Sequence, residues 1–441
     1  MGMVARAGAA LQHVFGPLVE DAARETGVVA RRRKFTPAAL ARTFVLGFLQ
    51  DPDASAEDLA QVAAQCGAPV TPQAVDQRQT PKLAAFLEGL FRRAVRVVVG
   101  SDGGLAPVLD RFAAVVLLDS TTINLPDGQR GRFPGCGGRG GFGRAAVKLQ
   151  TELDLRTGAR THVGPEPGRS ADGATARQWA PRPPGTLRVT DPGYFCLGVF
   201  AALVGAGGHF LSRLAFGVGV RLPDGVRVDL LGWLAGQPGP LVDRPVLPGD
   251  ERLGCRLVAW RLPPEQADRR RQRLRADHRR KWGSEPTAAR LAWCDWTILV
   301  TDVPPDRLTA AEAVALYRAR WQVELLFKRW KSGGRVADLG GGAEARQMVR
   351  VWGRLTAAVI QHWLVVATAW GDPTRSWGKA AAAARRFVGR LLTALDRAAD
   401  LSRVIADLGR VVATTCRRNP RRKPGTVELL NDVTRLDFGL T

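Results

Sequence analysis

The sequence predicts a mixed α/β sheet with helical regions at both ends of the chain. Three observations carry that class. Residues 113–118 form a continuous apolar run that reads as a strand buried on both faces, residues 147–155 alternate between apolar and polar, and helices and strands take turns between 174 and 216. Ahead of them, residues 37–99 repeat Ala, Leu and Val at three- and four-residue spacing, with breaks at Asp51-Pro52-Asp53 and Gly67-Ala68-Pro69, the pattern of a small helical domain. Ser55 caps one helix and residues 71–79 make a second after Gly67. This is the outline of a helix-turn-helix, and equally of an ordinary helical bundle.

The strand at 113–118 ends at Asp119. Val147, Leu149, Thr151, Leu153 and Leu155 then alternate with Lys148, Gln150, Glu152 and Asp154, a strand with one wet face, and Thr157-Gly158 turns into a third strand near 161–163. A short helix at 174–179, a strand at 186–190 ending at Asp191, a helix at 193–204 and a strand at 209–216 follow. Strands return at 226–231, 256–261 and 296–301, around a basic helix, as an inserted β-rich domain. A long helix runs from the N-cap Thr309 to Lys331, where Gly333-Gly334 stops it, and everything after Glu344 reads as helical. The chain thus divides into a helical N-terminal domain (1–105, a candidate for DNA binding), a core in two parts (106–217 and 306–370), the insertion (218–305) and a basic helical C-terminal region (371–441).

Charge narrows the partners. The 441 residues carry 64 Lys plus Arg against 41 Asp plus Glu, a net charge of +23. Only eight of the 64 cations are lysines, so 56 are arginines, whose planar fork grips phosphate in two places. Nucleic acid is the leading partner, with an anionic membrane or a GC-rich genome as other sources of the bias. Six cysteines without a CxxC pair and five scattered histidines encode neither a zinc site nor a disulfide framework. Charges interrupt the apolar positions of residues 1–35, so no signal-peptide core is seen, and the protein is expected in the cytoplasm with the nucleoid. The uncharged run 192–211 is long enough to raise a membrane span, but its glycine break reads better as helix, turn and strand.

Tyr317, Arg320, Glu324 and Lys331 stand at offsets of three, seven and fourteen residues. At ~100° per residue an uninterrupted helix puts them within roughly 60° of one face. A solvated amphipathic face would look the same. Two further carboxylates, Asp119 and Asp191, end strands where open α/β sheets place ligand-binding residues. Three hard oxygen donors are the minimum for two Mg²⁺ ions at a phosphodiester.

The run 317–331 resembles the signature of DDE transposases of the insertion-sequence-four family: Tyr, two residues, Arg, three residues, Glu, six residues, Lys. Asp119-Ser120-Thr121 and Asp191-Pro192-Gly193-Tyr194 are similar to the family's two aspartate motifs, and the likeness covers roughly residues 115–370. The resemblance implies an RNase H-like fold interrupted by the insertion. It also implies that Asp119, Asp191 and Glu324 hold two Mg²⁺ ions, which Mn²⁺ can replace, and that Tyr317, Arg320 and Lys331 contact phosphates. The implied activity is cut-and-paste transposition through a DNA hairpin, on double-stranded DNA at terminal inverted repeats and target, by a homodimer on DNA, with no membrane. Trp296, or Trp293 as second choice, is the family-like candidate for stacking a flipped base; either ring also suits a core. The run 268–281, with eight cations including Arg270, Arg271 and Arg275, reads as a DNA-backbone contact or a solvated face. Arg346, Arg350 and Arg354 form a second basic stripe, and the glycine-rich segment 135–143, followed by a strand where a dinucleotide site needs a helix, reads as a loop near DNA. Two alternatives stand beside the transposase: an RNase H-like nuclease or resolvase that does not join ends, and an inactive DNA-binding remnant of a mobile element.

Overall fold

The computed structural model describes residues 2–29, 34–137, 144–239, 241–250, 253–420 and 424–436. The expected loop at 135–143 lies partly outside them, as does the basic segment 417–423 of the C-terminal region. The chain is mixed α/β and forms two compact units: residues 1–105, 119–170 and 322–420, and residues 106–118, 171–321 and 421–441. Strand β1 (Ala114–Asn124) runs from the second into the first. No helix among the described residues is long and apolar enough to cross a membrane.

The first unit is built on the helix Glu344–Ala369, whose buried Trp352 and Trp363 are among the largest enclosed side chains. Helices Pro37–Gln50, Pro81–Ala94, Trp377–Arg386 and Ala398–Thr415 pack on it. Ser55 closes a capping box with Asp58, and Thr71 caps Pro72–Arg78, because each hydroxyl accepts from a backbone N–H left over in the first helical turn. Strand β2 (Ala146–Asp154) lies between β3 (Arg160–Pro167) and β1, antiparallel to β3. The expected wet face of β2 is absent: Gln150 and Glu152 are as buried as Leu149, because both sides of this central strand are covered. The β2–β3 turn needs glycine. Gly158 has φ +73°, a Cβ there would overlap the Trp370 ring, and its carbonyl bonds His362 Nε2 at 2.8 Å.

In the second unit the strand order is β1, β4 (Thr186–Thr190), β5 (His209–Arg213), β10 (Trp296–Thr301), β9 (Cys255–Arg261), β8 (Leu241–Pro248), β6 (Val220–Arg221) and β7 (Arg227–Val228). The pairs β1–β4 and β4–β5 are parallel and all the rest antiparallel. Leu117 pairs with Val189 at the end of the first register. One cluster fills the core here, including Phe200 stacked on Phe210 at 4.3 Å, Leu257, Ile298 and Trp296.

Several elements differ from expectation. The strand at 226–231 shrinks to β7 because Asp229 caps a helix, Leu230–Ala235, and β8 appears instead, its alternation hidden by Asp243, Arg244 and Pro245. The helix at 174–179 is a pair of 3₁₀ turns, and the helix at 193–204 starts only at Leu197. β1 continues past Asp119 to Asn124. The long helix is three pieces, Ala310–Ala319, Trp321–Lys328 and a π-turn, Arg329–Gly333. At the junction Arg320 N–H bonds the Tyr317 carbonyl in a tighter turn, so a uniform 3.6-residue period does not run from Tyr317 to Lys331.

Candidate active site

Within the second unit, Asp191 follows the last residue of β4 and caps the 3₁₀ turn Pro192–Tyr194, its Oδ1 accepting from Gly193 N–H at 2.9 Å. Burial raises its pKa most; the nearby Asp172 carboxylate raises it further, while Arg320 and the Gly193 and Tyr194 amides pull the other way, leaving it above the ordinary value. Arg320 donates to the Tyr317 hydroxyl, whose own pKa burial pushes up. Arg213, the last residue of β5, faces Tyr317 and Arg270. Asp191, Tyr317 and Arg320, far apart in sequence, thus share one charged cluster. Sequence reading missed Arg213 and Asp172: Arg213 sits at a strand end as Asp191 does, a signal that could have found it, whereas nothing local marks Asp172.

Burial makes ionised Asp191 a cost to the fold. A raised folded pKa means that its contribution is fully present below the unfolded carboxylate pKa and is lost as pH rises through the folded value. Asp191→Asn is therefore expected to raise the urea midpoint of the metal-free protein at pH 7 and to leave it unchanged below about pH 3, well under the ordinary Asp value of ~3.9. Urea titrations at the two pH values check this; equal midpoints at pH 7 would mean that Arg320 offsets the burial completely.

In the first unit, Asp119 is half-buried on β1 and accepts from Ser120 N–H at 2.8 Å. Glu324, also half-buried, lies on Trp321–Lys328, and Lys331 lies in the π-turn with its ammonium pKa lowered by burial. Among the described residues no group of three or more His, Cys, Asp or Glu side chains is arranged to hold a metal ion. The donor chemistry of the three carboxylates nevertheless suits a hard divalent cation, and the raised Asp191 pKa is what a bound cation would reverse.

The other basic features face differently from their sequence reading. Arg270 is half-buried, donates to the Trp296 carbonyl at 3.2 Å and has its pKa pushed down to about 10 by burial and by Arg213. Arg271 is bonded to Asp268 and Asp295, and Arg275 sits 3.7 Å from Glu285. Arg270 and Arg271 are thus engaged within their own unit, whereas Arg275 stays exposed. Trp296 is 6% exposed inside the core cluster, with Trp293 packed against that cluster and edge-on to Phe216. The stripe at 346–354 is likewise internal: Arg354 donates to the carbonyls of Pro52, Arg335 and Asp338, Arg350 to those of Leu339 and Gly341, and Arg346 pairs with Asp76.

Residues 110–360 match the transposase DDE domain family, more than half of the chain. The chain belongs to this family, the DDE transposases of insertion sequences, whose enzymes act on DNA. It is 25% identical over 375 residues to the transposase for insertion sequence element IS231E of Bacillus thuringiensis subsp. finitimus, covering 79% of this chain and 77% of that one. It is similarly 24% identical over 374 residues to the IS231B transposase and 25% identical over 372 residues to the IS231C transposase, both of Bacillus thuringiensis subsp. berliner, with the same coverage.

Proposed function

We propose that the protein is a cut-and-paste transposase that cleaves double-stranded DNA at the terminal inverted repeats of its element, passes through a hairpin and joins the freed ends to target DNA, acting as a homodimer on DNA. The observation that carries this reading is the clustering of Asp191 with Tyr317 and Arg320, two of the four signature residues. Asp191 follows the last residue of β4, where an open α/β sheet places a ligand, and Asp119 lies on β1, which continues past it to Asn124. In this proposal Asp119, Asp191 and Glu324 hold two Mg²⁺ ions, which Mn²⁺ can replace. Bound there, the ions would activate the attacking oxygen and neutralise the leaving one.

The remaining residues act on phosphate. Arg320 offers a fixed fork to a phosphate beside the scissile bond, and its hydrogen bond holds the Tyr317 hydroxyl in place for a second contact. Lys331 contributes a point charge whose burial strengthens its attraction for a bound anion. A nuclease or resolvase would share the carboxylates, so joining is the discriminating step. The experiment follows an end-labelled terminal-repeat duplex with Mg²⁺ and a target plasmid on a denaturing gel. Nicked, hairpin, double-cut and joined species are expected in that order. Cleavage without joining would leave a nuclease, and a parent that yields no hairpin at any time would remove the hairpin route.

A further inference from the structure

The helix Pro264–Trp282 buries only Ala267 among its 19 residues, so both of its long faces are decided by charge rather than by packing. One face carries ion pairs to other elements. Arg271, Arg275 and Arg279 follow each other at four-residue spacing and pair with Asp295 and Glu285 of the same unit, Arg271 half-buried and Arg275 and Arg279 exposed. At ~100° per residue, Arg269, Arg273 and Arg280 fall within roughly 40° of one another on nearly the opposite face. Their side chains point to solvent: Arg269 is 71% and Arg280 74% exposed, and Arg273 is also exposed.

No described residue makes strong use of this stripe. Arg269 lies 3.7 Å from Glu265 and Arg280 2.7 Å from Asp277, both exposed pairs within the helix, of the kind that contributes only a few tenths of a kcal/mol. Arg273 has no ion-pair partner among the described residues. Eleven residues at ~1.5 Å each span about 16 Å, close to five base pairs at ~3.4 Å per phosphate along one strand. A one-sided row of guanidinium groups of that length is complementary to a phosphate backbone.

We propose that Arg269, Arg273 and Arg280 track the backbone of duplex DNA, while Arg270 and Arg271 hold the helix to its own unit. The surface is sequence-independent: it supplies affinity and orientation and reads no bases. This assignment rests on the transposase reading, since it takes DNA as the partner, and it names a surface separate from the residues proposed for cleavage.

The test compares the parent with the triple variant Arg269→Gln, Arg273→Gln, Arg280→Gln and with the single variant Arg271→Gln, by fluorescence anisotropy on a random-sequence duplex at several salt concentrations, with urea unfolding as a control. The triple variant is expected to unfold with the parent and to lose about 2.7 from the slope of log affinity against log salt, 0.9 for each phosphate contact removed. Between 50 and 200 mM salt that is a loss of roughly fortyfold in salt sensitivity. Arg271→Gln is expected to keep the parent's slope and to lower the urea midpoint. A triple variant with the parent's slope overturns the stripe alone. A loss of slope in Arg271→Gln equal to one full contact overturns the division between the arginines that hold the helix and those of the stripe. A parent that does not bind duplex DNA at low salt overturns the transposase reading and the stripe together.

Discussion

Asp119→Ala, Asp191→Ala and Glu324→Ala are each expected to lose metal-dependent nicking of a terminal-repeat duplex by at least a hundred- to a thousandfold, the scale of removing one preorganised electrostatic partner. DNA binding should survive in all three, and it should tighten slightly, because each change removes a negative charge close to where phosphate is held. Opposite effects on the two measurements separate a metal-holding role from a general loss of structure. Asp191→Ala carries a further expectation. Burial disfavours its ionised form while the side chain also caps the Pro192–Tyr194 turn, so the variant should lose less stability at neutral pH than at about pH 3. A Glu324→Ala protein that nicks as well as the parent would show that the third ligand lies elsewhere.

Trp296→Ala should act first on folding. The ring is 6% exposed and shares its cluster with Phe200, Phe210, Leu257 and Ile298, and its carbonyl receives the Arg270 guanidinium. Removing a buried tryptophan typically costs about 3–5 kcal/mol through lost burial and the cavity left behind. The urea midpoint of the second unit should therefore fall sharply. Trp296→Phe should recover most of the loss, because it refills the larger part of the volume. The resemblance assigns this ring to a flipped base, and the two roles predict different results. Should Trp296→Ala unfold with the parent, nick normally and slow only at the hairpin, the ring serves the DNA rather than the core.

Local pattern was enough wherever burial has a simple period or a strong breaker. The strand at 186–190 and the cap formed by Asp191 follow from an apolar run meeting Pro192-Gly193, and the helix Glu344–Ala369 from its apolar length, so one proposed ligand could be located without coordinates. The spacing of Tyr317, Arg320, Glu324 and Lys331 also needs no structure to be recognised. Tertiary structure decided everything that depends on what lies opposite. β8 exists because β9 pairs with it from Leu241 to Val246 despite Pro245. β2 buries its polar face because a central strand is covered on both sides, which alternation cannot reveal. The break at Arg320 and the π-turn at Arg329–Gly333 change a helical face whose regular period would have aligned all four signature residues. Charge is the least legible property of all. A run of arginines has the same composition whether it meets Asp295 and Glu285 or faces water, and the partners of a charge come from residues far away in the chain. For that reason the sequence of the helix Pro264–Trp282 announces a basic element, while only the fold separates the arginines that hold it in place from those left facing solvent.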